Sequence, residues 1–445
     1  MSDVVITGIG AVTGLGHSAE QNWEALLEGR SAVAPTQSFD ASSLDCRASA
    51  EVAELQSALK PLVDRRMLRN MIRNDRLAAL GAVHAVRDAG LEGQLEQAGL
   101  YLASAKEISE PDKVMDAVLL ARDEDGSVDY EVMGAEGAAD FYPLFYVEGL
   151  QAASLFYISK VLEMKGINAY VSGAAEAGMS ALGMGLRAIR RGEAEVVVVG
   201  GFDDSTSWWN QSKYQDWGLL QHGQDQPHPF AAEGAGTVLG EGSVFLVLES
   251  SDHAAARGAR VYAGLEAVSS RQDSARVFTP LADGDGLARA VRAALAGAGI
   301  DGEQIAAVVA EGTATADGDA REVQALSEAL GAARPAVTAV KGAAGHTTAA
   351  SGLLNVAVAA LVLEAGTVPA IVGTAAEQAG EPELDLVLGS ARPLPLSDDG
   401  PSGALALAQG FQGQSGAAVL RRAQTSRAAG TGAADQTADQ GERSE

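Results

Sequence analysis

Short apolar runs bounded by glycine alternate with longer segments of helical period along this chain. D-V-V-I-T-G at 3–8 reads as a buried strand, and residues 20–28 as an amphipathic helix. Residues 62–76, L-V-D-R-R-M-L-R-N-M-I-R-N-D-R, predict a helix. Arg65, Arg69, Arg73 and Arg76 would share one face of it, and Leu68, Met71 and Ile72 another. An apolar helix is expected to run up to Gly166, followed by a short strand at 169–172, a small-residue helix at 177–191 and a Val-rich strand from Val196. Further strands are predicted at 244–249, 262–268 and 305–311, with a helix at 285–299. This strand–helix rhythm predicts an α/β fold with a parallel sheet covered by helices on both faces.

The rhythm contains a repeat. Residues 173–201 open G-A-A, enter a small-residue helix, leave at a glycine and end in V-V-V-V-G-G. Residues 342–373 do the same, from G-A-A-G-H-T to V-P-A-I-V-G. We read a duplicated half-domain, with a ligand site where the paired turns meet. The halves would span 1–255 and 256–421. Residues 422–445 lack bulky apolar side chains and read as a disordered tail.

Composition narrows the function. A net charge of −27 argues against nucleic acid and against anionic membranes as partners; its plainest effect is solubility. The single cysteine, Cys46, allows neither an intramolecular disulfide nor a Cys-rich zinc site, and fits a reducing compartment. No metal or cofactor is expected. The start of the chain reads as a strand, not a signal peptide, and no charge-free run of about 20 apolar residues predicts a membrane span, so a cytoplasmic location is expected. The early G-I-G lacks the G-x-G-x-x-G spacing of a dinucleotide site.

The turn at 173–176 has the shape of a mount for a nucleophile, a strand running into a buried helix, but it carries Ala174 and Ala175. Ser172 and Ser180 are the nearest hydroxyls. Neither falls where the helix begins, and no activating base accompanies them.

An ordered set of motifs resembles the β-ketoacyl synthases of the thiolase superfamily. It comprises V-I-T-G-I-G, N-W-E-A-L-L-E-G-R-S at 22–31, D-R-R-M at 64–67, R-A-I-R-R-G at 187–192, P-F at 229–230 and L-G-E-G at 239–242. It continues with E-G-T-A-T at 311–315, Asp319, Glu322, V-K-G-A-A-G-H-T at 340–347 and G-F-Q-G at 410–413. The resemblance implies a thiolase-like duplicated αβαβα fold of five layers. In active members a Cys at the helix start takes the acyl chain, two His assist decarboxylation, and backbone N–H groups hold the thioester oxygen. The family's Cys falls at Ala175 and its first His at Glu311, whereas the second His and the Lys are kept as His346 and Lys341. Backbone at Ala175 and Phe411 would correspond to the oxyanion donors.

With alanine at the loading point no acyl-enzyme can form. An ionised Glu311 about 4 Å from a malonyl carboxylate would cost about 4 kcal/mol at an effective dielectric near 20. The pattern resembles the chain length factor, the non-condensing subunit that pairs with a catalytic ketosynthase in type II polyketide systems and works on chains held by an acyl carrier protein. Aromatic-pathway members carry Gln at the Cys position and lack the second His loop. This chain has Ala and keeps G-H-T, so aromatic and polyene pathways both stay open. Met115 and the F-Y-P-L-F-Y run, with Phe141, Tyr142, Phe145 and Tyr146, are candidates for the tunnel or for a plain core or interface cluster. Arg65, Arg69 and Arg73 are candidates for carrier contact, or form a solvated face. The rival functions are a stand-alone malonyl-carrier decarboxylase or acyltransferase using His346, and a scaffold homodimer.

Overall fold

The apolar runs become two sets of five strands. The first set is β1 (Val4–Thr13), β2 (Gly99–Ser104), β3 (Asn168–Ser172), β4 (Val196–Asp203) and β5 (Gly242–Ser250). The second is β6 (Ala263–Gln272), β7 (Ile305–Ala310), β8 (Ala336–Ala339), β9 (Gly403–Gln409) and β10 (Gln414–Arg422). In space they run β3-β2-β4-β5-β1 and β8-β7-β9-β10-β6. Counted within each set, both orders are 3-2-4-5-1, so the fold is duplicated. The second repeat expected at 342–373 is out of register with it: its G-A-A lies in the short helix Lys341–Ala344, and its V-P-A-I-V-G contributes only to the two-residue strand Thr367–Val368, paired outside the large sheet. The sets meet where β1 pairs with β6 at Val5↔Gly264 and Ile6↔Ala263. The computed structural model describes residues 3–105, 111–139, 149–150, 152–273, 284–380, 384–396 and 402–423.

The sheet is mixed, not parallel throughout. β2 runs parallel to β3 and β4, and β7 parallel to β8 and β9, but β5 and β10 run antiparallel to their neighbours. The chain joins β9 to β10 through the tight loop Gly410–Gly413, and a hairpin of that length enforces antiparallel pairing.

Eight helices matter for the site: α1 (Arg65–Asn70), α2 (Arg73–Asp88), α3 (Ala177–Arg190), α4 (Trp208–Asp216), α5 (Asp285–Ala298), α6 (Ala316–Leu330), α7 (Lys341–Ala344) and α8 (Ser351–Ala365). α2 covers the outer face of the first set and α5 that of the second, with α6 packed on α5. α3 and α8 lie between the two sets and touch strands of both. This is the expected αβαβα layering. The stretch Thr348–Ala365 is long and apolar enough to cross a membrane, but 83% of it is buried inside the protein. A helix apolar all round is what a central layer with a sheet on each side requires.

The predicted helix over 62–76 is two helices. Asp64 caps α1 by accepting from the N–H groups of Arg66 and Met67, and Met71 and Ile72 are extended and buried. The extended link lets both apolar side chains reach the core and starts α2 on a new axis, so the four arginines do not share a face. The early G-I-G is explained by packing. A Cβ on Gly8 would sit 2.4 Å from the Ala85 carbonyl, and one on Gly10 2.1 Å from that of Gly81. These glycines let β1 lie directly on α2.

Candidate active site

The two central helices begin against each other. A Cβ on Gly352 would lie 2.9 Å from the Ala175 carbonyl, and one on Gly178 2.8 Å from the Ala349 carbonyl. Ala175 is fully buried, and Glu176 stands at the N-cap of α3 with no side-chain capping bond. The starts of the two central helices therefore meet, at 175–178 and 349–352, rather than at the second G-A-A, which lies in α7. No hydroxyl or thiol occupies the mount. Ser172 is exposed, and Ser180 Oγ shares a hydrogen bond of 3.3 Å with Ser270 Oγ in an exposed place. Cys46 is buried elsewhere, 3.6 Å from the Ala48 carbonyl, and burial pushes its thiol up.

Glu311 follows β7 and is fully buried. Its Oε1 is 2.5 Å from Lys341 Nζ, and the same ammonium donates to its backbone carbonyl at 3.0 Å. Asn355, from within α8, donates to Glu311 Oε2 at 3.3 Å and to the Leu407 carbonyl at 2.8 Å. Burial pushes the Glu311 carboxyl up, and Lys341 pulls against that shift. Read from the sequence, Glu311 is a bare charge facing a malonyl group. In the structure Lys341 pairs with it, so the repulsion is weaker than for a bare charge. What the position lacks is an imidazole.

His346 sits in the loop between α7 and α8, fixed by backbone. Its N–H donates to the Val238 carbonyl at 2.7 Å, and its own carbonyl accepts from Gly240 at 3.0 Å. The L-G-E-G segment thus holds the histidine loop. His346 Nδ1 is 3.4 Å from Ser351 Oγ and 3.8 Å from Glu311 Oε1, whereas buried Nε2 has no hydrogen-bond partner. Burial, then the charge on Lys341, hold the imidazole well below its usual range, so it is neutral at pH 7. Phe411, in the β9–β10 loop, packs edge-on against His346 with ring centres 5.4 Å apart, and against Tyr214 of α4 at 6.1 Å.

Two further carboxylates shape the loop that carries Glu311. Glu322 accepts from the N–H groups of Glu311 and Gly312 at 2.7 and 2.8 Å. Asp319 accepts from Phe230 N–H at 2.6 Å and from Ala314 N–H and Thr313 Oγ1 at 3.1 Å. Burial raises their pKa values to about 8 and about 6. Ala314 is held at φ +62°, a left-handed conformation unfavourable for alanine.

The "Beta-ketoacyl synthase, N-terminal domain" pattern matches residues 1–254, and the "Beta-ketoacyl synthase, C-terminal domain" pattern residues 262–375. This chain belongs to the β-ketoacyl synthase family. It is 28% identical over 392 residues to 3-oxoacyl-[acyl-carrier-protein] synthase 2 of Synechocystis sp., covering 86% of this chain and 90% of that one. It is 31% identical over 425 residues to the oxytetracycline polyketide putative beta-ketoacyl synthase 1 of Streptomyces rimosus, covering 94% and 96%. Its fold matches the solved structure titled "The ishigamide ketosynthase/chain length factor" with a TM-score of 0.82 and 27% identity, over 95% of this chain and 100% of that one.

The remaining candidates in this β-ketoacyl synthase chain fall out unevenly. Arg65 and Arg69 are exposed on α1. Arg73 is a different kind of residue. Its Nε donates to Glu241 Oε2 at 2.6 Å, its Nη2 to Glu241 Oε1, and the same Nη2 to the Val52 carbonyl at 2.9 Å. Arg73 therefore anchors the buried Glu241, which leaves Arg65 and Arg69 as the two arginines of the candidate set that are exposed on α1. Met115 lies half-buried on helix Asp112–Leu120. Phe141, Tyr142, Phe145 and Tyr146 lie outside the described residues. Sequence reasoning passed over Glu176 and Asn355. Each carried a signal: Glu176 is the one charge in S-G-A-A-E-A-G, and Asn355 a lone polar residue in L-L-N-V-A-V.

Proposed function

We propose that this chain is the non-condensing member of a ketosynthase pair. It joins a Cys-bearing β-ketoacyl-carrier-protein synthase as a heterodimer and helps shape the acyl tunnel in type II polyketide or polyene biosynthesis, on chains delivered by an acyl carrier protein. The observation that carries this reading is Ala175, a buried methyl group at the start of α3. A methyl group cannot attack a thioester. The Glu311–Lys341 pair supports the reading, because it replaces an imidazole with a bonded carboxylate that has no free donor. The similarity to a structure whose title pairs a ketosynthase with a chain length factor supports it as well. The lone, buried Cys46 agrees with a reducing, cytoplasmic setting.

The test is co-expression with a Cys-bearing ketosynthase, followed by sizing and native mass spectrometry. A one-to-one mixed dimer is expected. Separate homodimers from both chains would overturn the pairing. One observation favours a second reading: the neutral His346, with its unpartnered Nε2, could serve a malonyl-carrier decarboxylase. That reading requires CO2 release from this chain alone.

A further inference from the structure

We infer that Glu176, Gln412 and Gln414 form a subsite beside the start of α3 that binds a neutral ligand through a hydroxyl group. The inference rests on the proposed role, in which a growing chain passes Ala175 without being bonded there. It names what that place would recognise.

Three side-chain oxygens converge above Gly410. The point where a Cβ would stand on Gly410 is 2.9 Å from Glu176 Oε2, 2.9 Å from Gln414 Oε1 and 3.5 Å from Gln412 Oε1. A second glycine opens the other side: the same point on Gly173 is 3.1 Å from Glu176 Oε1. Any side chain at 410 would fill the space the three oxygens surround. Glu176 is only 9% exposed and its Oε2 has no hydrogen-bond partner; Gln414 Oε1 is shielded and likewise unpartnered. Leaving buried acceptors unpaired is unfavourable, so the cluster is built to receive a hydrogen-bond donor. Gly173, Ala174, Gln412 and Gln414 are partly exposed, so a ligand has a way in.

Charge selects the kind of donor. Burial, and then the neighbouring Glu311, push the Glu176 carboxyl up, so its charged form is disfavoured there. Lys341 is committed to Glu311 at 2.5 Å. An anionic ligand would meet the acceptor oxygens of Glu176, Gln412 and Gln414. Two amide oxygens and a carboxyl whose charged form burial disfavours present acceptors to a neutral ligand. An alcohol matches that set, because its O–H donates a hydrogen bond without bringing a charge.

The experiment measures binding of three thioesters of N-acetylcysteamine to the full-length chain by ligand-observed NMR titration: 3-hydroxybutyryl, butyryl and 3-aminobutyryl. The hydroxyl compound should bind about three- to tenfold more tightly than butyryl, the range one net hydrogen bond supplies. Glu176→Leu should remove the preference, and Glu176→Gln, which keeps an acceptor and the side-chain shape, should keep part of it. Equal binding of the hydroxyl and butyryl compounds overturns the subsite. That would be the result if the Gln414 amide turned to donate to Glu176 and closed the cluster on itself. A preference that survives Glu176→Leu also overturns it, as does tightest binding of the amine. Because this titration needs no second subunit, it can succeed where mixed-dimer formation fails, and the reverse.

Discussion

Replacing Lys341 by methionine removes the partner of a carboxylate that has nowhere else to go. The ion pair is 2.5 Å long, between side chains 1% and 0% exposed. Without the ammonium, Glu311 keeps the 3.3 Å bond from Asn355 but no countercharge. Breaking one side of such a buried pair costs about 3–5 kcal/mol, or roughly two to four powers of ten in the folding constant. The loss belongs to the stranded charge, so Lys341→Met/Glu311→Gln should recover about half of it or more. The pH dependence has a definite sign. Burial already raises the Glu311 carboxyl, and deleting Lys341, which opposes that shift, raises it further. A carboxyl whose folded pKa exceeds its unfolded one gains folding stability as pH falls through the folded value. The cost of Lys341→Met should therefore be largest above neutrality and shrink towards acid. Denaturant titrations of the four proteins at pH 8 and pH 5.5 supply the cycle. A Lys341→Met cost below about 1 kcal/mol and flat with pH, or a double variant that loses the sum of the singles, would refute the reasoning.

Ala175→Cys alone should stay at the background rate of condensation, whereas Ala175→Cys/Glu311→His should exceed that background by about a hundredfold or more in a carrier-dependent condensation assay, because the imidazole supplies acid–base help. Ala314→Gly should raise stability by about 1 kcal/mol in thermal unfolding, since glycine adopts the observed φ of +62° without strain. Arg73→Ala should cost about 2–3 kcal/mol by denaturant titration, because Glu241 loses its partner, while Arg65→Ala and Arg69→Ala stay within about 0.5 kcal/mol. Charge reversal at Arg65 and Arg69 together should weaken titration by an acidic carrier protein; unchanged binding would remove that contact.

The layered fold was legible because its strands are dense in valine and its duplicated helices share a small-residue composition, although the second G-A-A belongs to α7 and not to the start of α8. Periodicity placed β4 and α3 within a residue or two. It could not show that β5 and β10 run antiparallel, because a buried strand reads the same in either direction. It also ran α1 into α2, because Met71 and Ile72 fit a helical pattern as well as an extended link buried on both sides. At the site, the substitutions Ala175 and Glu311 were visible as letters. The pairing of Glu311 with Lys341 was not, because 30 residues separate them and nothing local to either betrays the contact. The ion pair of Arg73 was hidden for the same reason. Its spacing matched that of its exposed neighbours, and its partner Glu241 lies 168 residues away.

Intact-protein mass spectrometry of the mixed complex with an acyl carrier protein bearing a primer tests the central claim most directly. The account predicts that the Cys-bearing subunit gains the mass of the acyl group while this 45.4 kDa chain gains none. An acyl adduct on this chain, stable to denaturation and released by hydroxylamine, would contradict it.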